Sequence, residues 1–447
     1  MLVKTTIRTV LLLAALCAAL PSSAQIGVPQ LPTQGLPVPR LPTELPTQLP
    51  SPADVPRRVG EVTQPLLSSV RARTRDLTRR YPGQVERDPR GAPAVRAVIL
   101  ALGPDAQALQ QALARGFQID SDRTLAPFGD RVVTLLVPSG ISTQRALRDL
   151  RAADPSGSYD FDHLFVSLQS ALVRDVDAAL PAAALPARVE VRVGLIDGGV
   201  DTEHSAFATR RPQVSGCDGK PAASEHGTAV ASLFVGRSPE FSGAAPGAEL
   251  FAVDVYCETA TPGGRVRDIV AALAELTAAH VRVINMSVVG PDNAVLAAVV
   301  RKVIAQSIVI VAAAGNDGPN AGPLYPAAYA GVVAVTAVDA HEKVLMEASG
   351  GDYVRFAAPG ADMLAASLGG KYGAVRGTSY ASPLVAGLIA RLLEKEDFAD
   401  VEQVVQQLAA SAAAQGGNVR RDRRYAYLVG MELRADPAQL AGRASRD

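Results

Sequence analysis

Five short apolar runs, "VEVRVGLID", "ELFAVDVY", "VRVINMSVV", "SIVIVAAAG" and "GVVAVTAV", punctuate residues 189–338. They are nearly unbroken Val, Ile, Leu and Ala, so each strand needs cover on both faces. Helical patterns lie between them: "GTAVASLFV", "DIVAALAELTAAH" and "NAVLAAVVRKVIAQ". Strands alternating with helices, and buried on both sides, predict an α/β fold: a parallel sheet sandwiched by helices. Open sheets of this kind gather functional groups beyond the carboxyl ends of their strands.

Four polar residues stand at such ends. Asp197 closes "VGLIDGGVD", and His226 opens the small-residue helix of "EHGTAVAS". Asn316 follows the strand in "VAAAGNDG", and Ser379 lies in "AVRGTSYASPLVAG". In that last stretch Leu384, Val385, Leu388, Ile389, Leu392 and Leu393 recur at helical spacing. Ser379 therefore falls at a helix N-terminus, where the macrodipole favours developing negative charge. Pro383 is expected in the first turn, where a missing N–H is harmless.

These residue types make a chemical set. A serine hydroxyl is a weak nucleophile until a base takes its proton. Histidine, with an unperturbed pKa of about 6.5, suits that role. A carboxylate fixes the ring's tautomer, and a side-chain amide with a backbone N–H stabilises an oxyanion. Taken singly, Ser379 reads as a helix cap and Asp197 as a turn residue. Together, in order, they read as a catalytic constellation.

The motifs "VGLIDGGVD", "EHGTAVAS", "VINMSVVGP", "VAAAGNDG" and "GTSYASPLVAG" resemble those of the subtilisin (subtilase) serine endopeptidases over roughly residues 187–395. The chain order Asp, His, Ser is the subtilisin order. The resemblance implies that Asp197 orients, His226 acts as base and then acid, Ser379 attacks, and Asn316 donates to the oxyanion. It implies a protein or peptide substrate and no cofactor. His204, in "DTEHSAF", is the nearest rival to His226; with His163, His280 and His341 it lacks the Gly-Thr helix start and reads as structural or solvated. Asn285-Met286-Ser287 fits a glycosylation sequon but falls in a buried strand.

The substrate pocket departs from the family pattern. The wall stretch is Ser287-Val288-Val289-Gly290, with Val289 where a glycine usually leaves room. Ala314-Gly315 and Leu324 complete the expected substrate-binding set, Leu324 standing where many relatives carry glycine. Both swaps fill an apolar slot, which predicts preference for small side chains such as Ala before the scissile bond, or weak general activity. Tyr380 replaces the methionine that commonly follows the nucleophile. The stretch "LFVGRSPEFSGAAPGAELFAV" lacks the oxygens for the family's tight calcium site, and no Cys/His cluster suggests zinc.

Upstream, "AVRAVILAL", "PDAQALQQALARGF", "DRVVTLLVP", "STQRALRDLRAA" and "YDFDHLFVSL" read strand, helix, strand, helix, strand, a small α+β sandwich. By order and position it resembles the family's inhibitory propeptide, which implies an intramolecular inhibitor removed by self-cleavage between about Asp160 and Arg188. Lys4 and Arg8, an apolar run to Leu20, and Ser22-Ser23-Ala24 read as a cleaved export signal, too short for a membrane span. A lipoprotein at Cys17 is the alternative, disfavoured by Leu16. The chain thus divides into a signal peptide (1–24), a Pro-rich linker (25–57), a basic helical segment of unknown purpose (58–92), the propeptide-like α+β domain (93–170), an Ala/Pro linker (171–187), the subtilisin-like catalytic domain (188–430) and a polar tail (431–447).

Lys plus Arg and Asp plus Glu number 44 each, so net charge points to no nucleic-acid partner. Aromatics are only 4%, with no Trp, too few for a base-stacking platform. A monomer, periplasmic or extracellular, is expected. With the signal removed, Cys217 and Cys257 remain, either bonded or as two separate buried thiols. A bond between them is worth roughly 4 kcal/mol in the chain-entropy model. The rival from another class is a secreted binding protein with a protease-like but blocked site. An α/β-hydrolase esterase fails on chain order and on the missing Gly-x-Ser-x-Gly.

Overall fold

The computed structural model describes residues 70–167, 174–176, 187–239, 241–257, 263–396, 398, 400–414, 418–421 and 424–433 of the 447-residue chain. The signal segment 1–24, the linker 25–57, residues 58–69, most of 171–187 and tail residues 434–447 lie outside them. All described residues belong to one compact unit, Arg57–Asp447.

The N-terminal region runs α1 (Val70–Arg80), β1 (Val85–Arg87), β2 (Pro93–Leu102), α2 (Ala106–Ala114), β3 (Gln118–Leu125), β4 (Asp130–Leu136), α3 (Thr143–Ala153), β5 (Ser158–Ser167) and β6 (Arg174–Val176). Strands β5-β2-β4-β3 form an antiparallel sheet with β1 beside β2. Alternation along β2 sorts its side chains. Ile99 and Ala101 pack with Leu109, Leu147 and Leu150 of the two helices. Leu100 and Leu102 face the other way, into a core shared with the downstream region. Asp105 and Ser142 cap α2 and α3, as their positions before the apolar periodicity require.

Next come β7 (Arg192–Asp197), β8 (Gln213–Gly216), α4 (Glu225–Val235), β9 (Glu249–Asp254), β10 (Gly264–Arg265), α5 (Val266–Ala278), β11 (Val283–Met286), β12 (Val288–Val289), α6 (Ala294–Ile304), β13 (Val309–Ala313) and β14 (Val333–Val338). The chain closes with β15 (Val354–Pro359), β16 (Ala361–Ser367), β17 (Lys371–Arg376), α7 (Thr378–Lys395), α8 (Val401–Ala414), β18 (Asn418–Arg421) and β19 (Arg424–Leu428). Among the described residues the central sheet runs β18-β19-β15-β14-β13-β11-β7-β9-β8, parallel throughout except for β18. Val283, Val309 and Val335 face one helix layer, while Ile284, Ile310 and Ala334 face the other. The unbroken apolar runs are therefore buried on both sides, about 1.5–3 kcal/mol for each large side chain so buried.

β7 has β9 on one side and β11 on the other. Connections leave it in both directions and open a crevice at its carboxyl end, beside Asp197. The run read as a single strand over residues 281–289 is in fact two. β11 stays in the sheet, whereas β12 turns out of it and pairs antiparallel with β5. β10 pairs with the same stretch of β5. Residues Leu164–Ser167 thus lie as a strand between two strands of the downstream region.

Candidate active site

Ser224 caps α4 by accepting a hydrogen bond from Gly227 N at 3.0 Å, which sets His226 in the first turn. Gly227 must be glycine because a Cβ there would sit 2.3 Å from Gly198 O. That close approach draws the helix start onto the end of β7. His226 Nδ1 consequently lies 2.8 Å from Asp197 Oδ1, and His226 Nε2 lies 2.9 Å from Ser379 Oγ. A carboxylate can only accept, so Nδ1 carries the proton and Nε2 is left to accept from the serine hydroxyl. All three side chains are buried, and Gly198 N donates to Asp197 Oδ1 at 2.6 Å. Tyr380 backs the imidazole with ring centroids 5.3 Å apart. Burial, with Asp197 and Glu225 nearby, pushes its phenol above the ordinary range, so the ring stays neutral beside the imidazole.

Asn316 is held by Thr378, a residue that sequence reading passed over. Thr378 N and Thr378 Oγ1 lie 3.1 and 3.0 Å from Asn316 Oδ1. A backbone N–H only donates, so the amide oxygen must face Thr378 and the NH2 group must face away from it. Thr378 Oγ1 also accepts from Gly315 N at 3.2 Å. Its only trace in the sequence is its place between Gly377 and Ser379, and the glycine's φ of +138° appears only in the fold.

Pro383 sits one turn deeper than expected, sixth in α7 rather than in the first turn. Its missing N–H leaves the Ser379 carbonyl without the usual i+4 donor. The hydroxyl of Ser287 donates to that carbonyl at 3.2 Å, and Asn285 Nδ2 donates in turn to Ser287 Oγ at 3.0 Å. The proline is tolerated because a side chain supplies the lost bond. Ser287, expected on the pocket wall, thus turns its hydroxyl to the first turn of α7. Asn285 of the sequon is buried and spent on the same network.

Of the residues expected to line the pocket, some gather and others do not: Val288 packs into a separate core. Val289, Ala313 and Leu324 form one apolar cluster with Val166 and Leu77. A Cβ on Gly315 would meet Leu324 Cδ1 at 2.3 Å, so the leucine lies directly over that glycine. Gly290 and Tyr325 exchange backbone hydrogen bonds of 2.9 and 3.1 Å, closing one wall. A Cβ on Gly290 would fall 2.6 Å from the ring of Phe165, which occupies that space. Val288 pairs with Ser167, and Ala314 is buried where β13 ends. His204 is elsewhere: Nε2 bonds Lys371 O at 2.7 Å and Nδ1 accepts from Ala206 N.

Cys217 and Cys257 are joined in a disulfide with Cα atoms 5.1 Å apart. Both flank Asp254, whose carboxylate accepts from Ala222 N and Tyr256 N. No group of three or more metal-ligating side chains occurs among the described residues, and none of the described helices is long and apolar enough to cross a membrane.

A parallel sheet carrying a hydroxyl, an imidazole and a carboxylate in line, with an oriented amide beside them, defines a class: serine peptidases on an α/β scaffold. Residues 189–427 match the Subtilase family, and the chain belongs to it. Subtilisin E of Bacillus subtilis (strain 168) is 31% identical over 293 residues, 62% of this chain and 75% of the relative. The subtilisin of Bacillus pumilus is 33% identical over 241 residues, 51% of this chain and 86% of the relative. Among solved structures, the protease domain of PatA, in mutant form, has a TM-score of 0.50 at 27% identity, over 58% of this chain and 98% of that one. Fervidolysin from Fervidobacterium pennivorans, a keratinolytic enzyme related to subtilisin, has a TM-score of 0.61 at 20% identity. That match covers 76% of this chain but 61% of fervidolysin, and it speaks to fold alone. The chain is a subtilisin-like serine peptidase whose substrates are proteins or peptides.

Proposed function

We propose that the chain is an exported endopeptidase, made as a self-inhibited proenzyme, that cleaves through an acyl-enzyme on Ser379. The observation that carries this reading is the unbroken line from Asp197 Oδ1 through His226 to Ser379 Oγ. Ser379 Oγ attacks the scissile carbonyl carbon as its proton passes to His226 Nε2. The oxyanion takes hydrogen bonds from Asn316 Nδ2 and from Ser379 N at the start of α7. Collapse breaks the C–N bond, and the leaving amine takes the proton from His226 Nε2. Water then repeats the sequence on the acyl group and frees Ser379. Asp197 holds the ring and stabilises the imidazolium without itself taking the proton.

Export is supported by the charged start and apolar run of residues 1–24. Self-inhibition is supported by the lie of β5, whose Phe165 and Val166 pair with Gly264 and Val289 like a bound peptide. Asp160 Oδ2 accepts from Ala294 N at 2.7 Å, and Asp162 Oδ1 from Arg267 N at 3.2 Å. Each carboxyl thus seats on a helix N-terminus. Burial, opposed by Arg267, pushes the Asp162 carboxyl up to about 6. The self-cleavage site falls shortly after Ser167 in this reading, within the expected span from Asp160 to Arg188.

A fluorophosphonate probe tests the core of the proposal. Mature enzyme is expected to label stoichiometrically at Ser379, read by intact mass. Absence of label after the N-terminal region is removed would favour the binding-protein reading.

Val289 and Leu324 support a preference for small side chains before the scissile bond. A peptide library should favour Ala there, and Leu324→Gly should raise kcat/KM for Phe at that position on the order of 10–100-fold. A wild-type preference for Phe or Leu would refute the filled-pocket reading.

A further inference from the structure

We propose that helix α1 is a latch that closes over the cleft and holds the inhibitory strand there through Arg73 and Leu77. The inference rests on the proenzyme reading above and goes beyond it, because α1 precedes the sheet that carries the inhibitory strand. Residues 58–92 had no function assignable from sequence, and their basic helix is otherwise unexplained.

Arg73 Nη1 donates to the carbonyl of Ser167, the last described residue of β5. Its guanidinium is within electrostatic reach of Tyr256 and Asp317. Asp317 directly follows Asn316, and Tyr256 also feels the charge of Asp197. Arg73 therefore ties the helix to the end of β5, ninety-four residues away in sequence. Burial pulls its pKa down, opposed by Tyr256 and Asp317.

Leu77 is one helical turn on, so it shares a face with Arg73. It packs on the cluster of Val166, Val289, Ala313 and Leu324. Val166, in a strand already paired on β12, is reduced to 7% exposure. Asp76 pairs with Arg79 and Arg80, whose guanidinium groups stand in solvent. Beyond the helix, Val85 N bonds Tyr81 O at 2.8 Å and Arg96 Nε bonds Pro82 O at 3.0 Å, fixing α1 to the edge of the N-terminal sheet. A rigidly mounted helix thus delivers one cation and one apolar side chain to the strand that fills the cleft. Once the chain is cut, only non-covalent contacts keep that strand in place, and α1 adds those of Arg73 and Leu77.

The test uses freshly purified full chain and hydrolysis of a short chromogenic peptide. Rates are normalised to sites titrated by fluorophosphonate after complete activation, so poor folding lowers yield without changing the ratio. Arg73→Ala and Leu77→Ala are each expected to raise the initial rate at least tenfold and to shorten the lag in proportion. Arg79→Ala, whose side chain stands in solvent away from Arg73 and Leu77, should stay within twofold of wild type. Arg73→Ala and Leu77→Ala chains with the wild-type lag and latent rate overturn the latch while leaving the proenzyme reading intact. A wild-type full chain that is active from the first moment, with no gain when the N-terminal region is removed, overturns both.

Discussion

Ser379→Ala is expected to abolish turnover and to leave the purified chain uncut. In subtilisin, where this loss has been measured, removing the nucleophile or the base costs about 2 × 10⁶ in kcat, and that magnitude is taken over here. The physical reason is that the triad acts as a unit. With Oγ gone, His226 Nε2 has no proton to take, and the ring held by Asp197 at 2.8 Å has nothing to activate. His226→Ala should therefore cost nearly as much, and the two losses should not add. Intact mass separates self-processing from processing by another protease. A Ser379→Ala chain that still loses its N-terminal region, with no protease added, would rule out self-cleavage. The fold should be unharmed, because the Ser379 carbonyl is bonded through Ser287 independently of the hydroxyl.

The second large effect concerns the amide. Asn316→Ala should lower kcat by about 10²–10³, the loss known for the corresponding amide of subtilisin, with KM little changed. The split follows from when the bond is made: the oxyanion exists only after attack, so substrate binding does not feel the deletion. Thr378 predicts a companion result. Its N–H and hydroxyl fix Asn316 Oδ1, so Thr378→Val should lower kcat in the same direction by loosening the amide. Thr378→Ser, which keeps the hydroxyl, should restore most of it. Thr378→Val combined with Asn316→Ala should cost no more than Asn316→Ala alone, since a positioning residue has no effect once the group it positions is gone. A rise in KM with kcat intact would mean that Asn316 binds substrate rather than the oxyanion.

These effects were legible to different degrees beforehand. The polar residues at strand ends and helix starts carry their chemistry in their type and order, so Asp197, His226, Asn316 and Ser379 stand out on a bare reading. Thr378 did not, because its role depends on which way an amide sixty-two residues away is turned. Ser287 was placed on a pocket wall from its motif. Its hydroxyl instead answers a need created by Pro383, and only the packed helix reveals that need.

The strands divide in the same way. Apolar runs such as "SIVIVAAAG" announce strands because burial on both faces leaves no room for polar alternation. β3, reading "QIDSDRTL", is mostly exposed and shows no such pattern; it is a strand because β4 offers it a hydrogen-bonding edge. β12 is two residues long and exists only against β5.

Periodicity by itself announced the parallel sheet and its helical layers, since burial and local helix geometry act over a few residues, while the order of the motifs singled out the four groups at its edge. Tertiary structure alone decided that the end of β5 lies between β10 and β12, that Arg73 meets Ser167, that Cys217 meets Cys257, and that Leu324 covers Gly315. Each of these is a contact between distant segments, set by how whole layers pack, and no local stretch of chain encodes it.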